Sequence, residues 1–270
     1  MSKEFKMLFL GDVVGRPGRE IVKEFLEKVK SEARYDFIVL NAENASHGFG
    51  LTKKNHDEFC ELGVNCLTSG NHIWDKKDVY SYIDDSQILI RPYNYHKDAQ
   101  GVGYKIFNEK VIIINMLGKT FMPPIACPFE SLAQLVEKLK QECDFENAIS
   151  FIDFHAEATA EKICFAKYAQ SLGIKAVVGT HTHVQTADEQ IIGETCAYLS
   201  DAGFCGSFSG VIGMEYEGSL KRLLTSIPAR FEVDNSDVRQ INACEIVFDF
   251  SSGVAKKIER INFINEVMKC

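Results

Sequence analysis

His181 and His183 stand two residues apart, directly after the apolar run 176–180. In extended backbone, residues i and i+2 point to one side, so both imidazoles could reach one ion or two adjacent ions. The plain alternative is a pair of hydrogen-bonded loop histidines. Five more polar clusters occupy the same place relative to an apolar run. Asp12 follows 8–11, Glu43 and Asn44 follow 37–41, Asn71 and His72 follow 67–70, His155 follows 151–154, and Asp201, the weakest, follows 197–199. Glu43 has the carboxylate needed to bridge two cations. Asn71 can offer an amide oxygen, and His72 can donate a proton or bind phosphate. Singly, each has a bland explanation: Asp12 as a helix cap, Glu43 as a solvated acid, Asn71 as a turn residue, His155 as a satisfied core histidine. Together they imply one shared site, because a ligand-type residue recurs in the same position after run after run. Imidazole, carboxylate and amide oxygen without thiolate suit iron, manganese or zinc. A centre holding two ions is expected.

Such a site needs the apolar runs to be neighbouring strands whose carboxyl ends meet at one edge, where open α/β sheets place their sites. The pattern predicts strands at 5–10, 37–40, 66–68, 104–107, 111–116, 149–154, 176–179, 195–199, 230–233, 243–250 and 255–261. Helices are expected at 20–30, from a Thr52 cap to 62, around 76–83, at 131–139 capped by Ser131, and at 160–172. Residues 108–110 read as a hairpin turn and 117–130 as a loop. Residues 203–213, with four glycines, read as a mobile loop. Alternating strands and helices that finish in antiparallel strands predict an α/β chain of two stacked sheets flanked by helices.

The chain has 270 residues, 46% of them hydrophobic and 25% charged, which suits a globular domain with a full core. Its formal net charge of −8 argues against an extended nucleic-acid footprint. A small phosphate substrate remains compatible, because bound cations supply local positive charge. Nine scattered cysteines, Cys270 among them, with no Cys-x-x-Cys pair, fit reduced thiols. The opening residues 1–6 lack a signal-peptide pattern. The longest apolar stretch, around 111–117, is far short of a membrane span. A cytoplasmic protein without membrane partners is expected, and a homo-oligomer is compatible. Residues 15–19 lack the Walker pattern and read as a tight turn opening a helix, with phosphate contact as the alternative. Arg91, Tyr93 and Tyr95 could form a substrate rim or simply pack. His47, His56 and His96 are taken as surface residues.

The ordered set GDVVGRPGR (11–19), NAENASHGFGLT (41–52), SGNHIWD (69–75), DFHAEATAEK (153–162) and GTHTHVQTAD (179–188), with VIGM at 211–214, resembles the YmdB-like branch of the calcineurin-like metallophosphoesterases. The resemblance spans nearly the whole chain. Two departures from the broad superfamily pattern, Val14 in place of a histidine and Glu43 in place of an aspartate, are shared with that branch. Residues 207–210 differ from the commoner family wording. The resemblance implies a single metallophosphoesterase domain over 1–270, a four-layer αββα sandwich of two mixed sheets, and a dinuclear centre usually described as iron. It implies one ion on Asp12, Glu43, Asn44 and His183, a second on Glu43, Asn71, His155 and His181, and His72 as proton donor. The implied activity is hydrolysis of small phosphodiesters, notably 2',3'-cyclic nucleotides, with 3',5'-cyclic ones as a variant. Two cations ~3.5–4 Å apart would acidify a bridging water for in-line attack on phosphorus. A regulatory protein that binds a nucleotide or metal and acts through partners could use the same residues. A nuclease on long chains would share the chemistry, but the net charge disfavours it.

Overall fold

In the computed structural model, residues 3–228 and 230–265 are described. Met1, Ser2, Ala229 and 266–270, with Cys270, lie outside the described residues. The elements in order are β1 (Glu4–Leu10), β2 (Asp12–Val13), α1 (Gly15–Ser31), β3 (Phe37–Asn41), α2 (Lys53–Glu61), β4 (Cys66–Thr68), a 3-10 turn (Lys77–Ser81), β5 (Tyr104–Phe107), β6 (Val111–Leu117), α3 (Pro128–Glu142), β7 (Ile149–His155), α4 (Thr159–Ser171), β8 (Ala176–Thr180), β9 (Gln190–Ile192), β10 (Cys196–Leu199), β11 (Phe204–Ser207), α5 (Tyr216–Thr225), β12 (Arg239–Asp249) and β13 (Ala255–Asn265).

Two mixed sheets form. In the first, β1, β3 and β4 run parallel, β12 lies antiparallel to β1, and β13 antiparallel to β12. Short β11 pairs with the start of β12 and, in parallel, with β2. In the second sheet β6, β7, β8 and β10 run parallel, and β5 and β9 close the edges antiparallel.

Alternation along the strands sorts the core into layers. Met7 and Phe9 of β1 meet Ile113, Phe151 and Val178 between the sheets. Their neighbours Leu8 and Leu10 pack with Ile38 and Leu40 against Ile21, Val22 and Leu26 of α1. On the far side Ile152 and Phe154 pack against Leu135, Leu139 and Phe165 of α3 and α4. Strands buried on both faces read as continuous apolar runs. The result is the expected αββα order. The carboxyl ends of β1, β3, β4, β7, β8 and β10 share one edge.

Several local expectations are corrected. Helix α1 starts at Gly15, so residues 15–19 are its first turn, with Pro17 where the missing N–H costs least. Helix α3 starts at Pro128 for the same reason, which places Ser131 inside it rather than at its cap. The 76–83 stretch makes only a 3-10 turn, and 230–233 forms no strand beyond an isolated bridge between Met214 and Val233. The glycine-rich 203–213 segment is not a free loop, because β11 within it is buried. Its glycines permit close approach: a Cβ on Gly203 would lie 2.6 Å from Asn242 Oδ1. His56 is buried, with Nε2 2.8 Å from Ser86 Oγ. Arg91 is also buried, and its guanidinium donates to the carbonyls of Pro92, Ala99 and Gln100, so it ties a loop instead of lining a rim.

Candidate metal centre

Asp12 sits in β2, Glu43 and Asn44 in the turn after β3, Asn71 and His72 in the turn after β4, His155 at the end of β7, and His181 and His183 in the turn after β8. The fold gathers residues from both sheets at their common edge. The tightest knot surrounds His155 Nε2, which lies 3.0 Å from Glu43 Oε1, 3.1 Å from Asn71 Oδ1 and 3.1 Å from His181 Nδ1. Asp12 Oδ1 is 3.8 Å from the other nitrogen of His155. A tetrahedral ion with bonds of about 2.0–2.1 Å holds its ligands roughly 3.3 Å apart, close to these spacings. His183 and Asn44 line the cavity beside this knot.

Each imidazole is anchored by the nitrogen that faces away from the cluster. The Thr180 hydroxyl donates to Asp153 Oδ1 at 2.6 Å and therefore accepts from His155 Nδ1 at 2.9 Å. His183 Nδ1 donates to the Ile212 carbonyl at 3.0 Å. His181 Nε2 lies 3.2 Å from the Glu157 carboxylate. The outer hydrogen bonds of His155 and His183 fix the tautomer and leave the second nitrogen with its lone pair free for a cation. His72 is arranged differently. Its Nδ1 donates to Asp75 at 2.8 Å, its backbone N–H donates to Glu43 Oε2 at 3.0 Å, and its ring meets the edge of Phe49.

Two oxygens in this site, Asp12 Oδ1 and Asn44 Oδ1, are buried without a hydrogen-bond partner. Buried polar atoms are rarely left so, and a cation would satisfy both. The Asn44 amide is oriented by donating to the Gly48 carbonyl at 2.9 Å. Gly70 leaves the room needed, since a Cβ there would overlap the Glu43 carboxylate and stand 2.5 Å from His155 Nε2. The residues present therefore fit cations held by nitrogen and oxygen.

The electrostatics match a site built for positive charge. Burial opposes charge on His155, yet Glu43, Asp12 and Asp153 together lift it to about 9. Burial pushes Glu43 up, but His155 and His72 outweigh it and bring the carboxyl down to about 2. Burial, joined by the neighbouring His155 charge, lowers His181 to about 3. Burial also lowers His183 and holds Asp12 well above the usual carboxylate range.

One geometric expectation fails. The His-x-His segment is not extended, since φ is 99° at His181 and 62° at His183. Asp12 Oδ2 takes the His181 N–H at 3.0 Å, and Asp201 Oδ2 takes both the N–H and the hydroxyl of Thr182. These bonds curl the loop, and backbone strain of this kind collects at functional sites. Asp201 itself is not in the cluster. It pairs with the buried Lys162 ammonium at 2.7 Å, which also donates to the Thr180 carbonyl at 2.9 Å. Sequence reasoning missed Lys162, because a lysine on a helix reads as solvated. It also missed the tie from Asp153 to Asn41 and Thr68 across the two sheets.

Above the cluster opens a cavity of about 440 Å³. Glu43, Asn44, His72, His181 and His183 form its floor. Phe49, Met214, Leu223 and Phe231 form an apolar wall, with Arg222 stacked 4.7 Å from the Phe231 ring centroid.

The chain is 40% identical over 259 residues to the 2',3'-cyclic-nucleotide 2'-phosphodiesterase of Bacillus subtilis, covering 95% of this chain and 96% of that protein. Two crystal structures superpose with a TM-score of 0.88. One is a hypothetical protein of Thermus thermophilus, 33% identical, covering 97% of this chain and 100% of the other. The second is a novel phosphatase of Mycoplasma pneumoniae, 35% identical, covering 98% and 95%. The profile described as YmdB-like protein matches residues 8–261, a span that holds all eight residues of the centre. On that match the chain belongs to the YmdB-like protein family.

Proposed function

We propose that this chain is a metal-dependent phosphodiesterase that opens small cyclic phosphodiesters, with 2',3'-cyclic nucleotides foremost and 3',5'-cyclic ones as the variant to test. It works as one domain. The observation that carries the reading is the set of three imidazoles, each with a partner on its outer nitrogen, around a carboxylate, two amide oxygens and a buried aspartate, beneath a cavity of nucleotide size. The name of the Bacillus subtilis relative supports the reaction class. Asp12, Glu43, Asn44 and His183 would hold one ion, and Glu43, Asn71, His155 and His181 the other, with Glu43 shared. Iron is the first candidate, manganese and zinc the alternatives. Bound ions would polarise the phosphoryl oxygens and lower the pKa of water.

The protein's own residues do the remaining work. Asp75 holds the His72 ring by its Nδ1, which leaves Nε2 to carry a proton towards the departing ribose oxygen. The apolar wall covers the base and excludes water from that side. The product is a nucleoside phosphomonoester that carries the freed ribose hydroxyl, with one water consumed. Metal analysis of the purified protein, joined to turnover of cyclic and linear esters before and after chelation, tests the reading. Bound ions and cyclic-ester turnover that chelation abolishes are expected. Stoichiometric nucleotide binding without product would favour a regulatory protein instead.

A further inference from the structure

We propose that the cleft continues past Phe231 into a phosphate subsite formed by Arg16, His47 and Arg230, and that the preferred substrate is a short RNA fragment ending in a cyclic phosphate. This deepens the phosphodiesterase reading and rests on it. Phe231 lines the main cavity and also a second hollow of about 250 Å³, which holds Arg16, His47, Arg230 and Glu232. The hollow adjoins the metal centre. The Asn44 carbonyl accepts from the Gly15 N–H at 2.9 Å, one residue before Arg16, and its side chain donates to the Gly48 carbonyl, one residue after His47. Val233 wedges the 231–233 segment against this corner. A Cβ on Gly15 would lie 2.7 Å from Val233, and one on Gly48 would lie 3.0 Å from it, so only glycine leaves that segment room.

The charges in this hollow are free to take an anion. Arg16 has one long contact, 3.8 Å to Glu20, and the Arg230 guanidinium makes no ion pair or hydrogen bond among the described residues. Glu232 cancels one of the two arginine charges and leaves an excess of one, in a chain whose net charge is −8. Guanidinium groups match phosphate by paired donors. An aromatic ring between two phosphate-sized positions suits a single strand, whose bases stack on side chains. A 2',3'-cyclic phosphate requires a ribose 2'-hydroxyl, so the longer substrate is RNA. The first nucleotide fills the main cavity, and the phosphodiester that precedes it reaches Arg16 and Arg230. Water adds to the terminal phosphorus, one ring P–O bond breaks, and the internal phosphodiester is untouched.

The test compares adenylyl-uridine carrying a terminal 2',3'-cyclic phosphate with 2',3'-cyclic UMP, on wild-type protein and on the Arg16→Ala/Arg230→Ala double variant. The wild type should favour the dinucleotide about tenfold through KM, the preference should shrink with added salt, and the variant should lose it while its mononucleotide turnover holds. Equal use of both substrates by the wild type, or an equal loss on both in the variant, overturns the subsite. If neither ester is hydrolysed, the phosphodiesterase reading fails on its own. Anisotropy of a labelled 3'-phosphorylated dinucleotide then decides the subsite: weaker binding by the variant upholds it, and unchanged binding overturns it.

Discussion

Gly70 has no side chain, and the centre uses the space this leaves. In Gly70→Ala the new methyl would start 2.5 Å from His155 Nε2 and overlap the Glu43 carboxylate. Ordinary contact needs about 3.5 Å, so His155 or Glu43 must retreat by roughly 1 Å. Metal sites tolerate only about 0.2 Å in ligand distance. A 1 Å error at a reacting centre costs on the order of 10²-fold. Overpacking itself should cost about 1–3 kcal/mol, which leaves the fold intact with its melting temperature a few degrees lower. The expected outcome is a folded protein that holds less than its full metal and has kcat/KM down about a hundredfold. Metal analysis, calorimetry and steady-state kinetics on one preparation measure all three. Full metal loading with wild-type turnover would refute the idea that Glu43 and His155 close on a cation beside Gly70.

Three further outcomes are expected. His72→Ala should keep its metal yet lose about 10²–10⁴-fold in kcat, and metal loss in parallel would remove His72 from the acid role. In metal-free protein, His155 is held at about 9 against an unfolded value near 6.5. The stability it contributes is whole below pH ~6.5 and is lost as pH rises through about 9. Melting of chelated protein should therefore fall between about pH 7 and 9.5, and His155→Gln should flatten that slope. Lys162→Met strands the buried Asp201 carboxylate and should cost about 3–5 kcal/mol in urea melts, with Asp201→Asn added on top restoring part of the loss.

The longer strands were legible because most are buried on both faces, and a nearly unbroken apolar run such as 111–117 has few other readings, whereas the short β2, β9 and β11 left no such run. The clustering of the candidate residues was legible for a related reason: each follows such a run, so topology alone brings them together. Backbone direction was not. The curl at His181 depends on Asp12, which is remote in sequence, and no local pattern records it. Glycines at 203, 206, 210 and 213 read as flexibility, whereas some serve to admit neighbours closely. Helix α5 escaped notice because Ser219 is its one buried residue among those described, and Leu223 and Leu224 stand in the open. Lys162 carries no signal at all, since nothing local distinguishes a lysine that will meet Asp201 from one that will meet water.

The place of β12 beside β1 also bears on how the protein comes to be. Glu4 lies opposite Asp249, so β1 waits for an antiparallel neighbour that is made long after it. Pairings this distant in sequence slow folding. Until β12 arrives, one hydrogen-bonding edge of β1 is open beside its apolar side chains, a state that invites association with other nascent chains. Asp12 also takes its backbone tie from the Gly203 carbonyl, late in the chain. A chain that has not yet reached Gly203 thus leaves Asp12 without that tie, and the cluster around His155 is finished late.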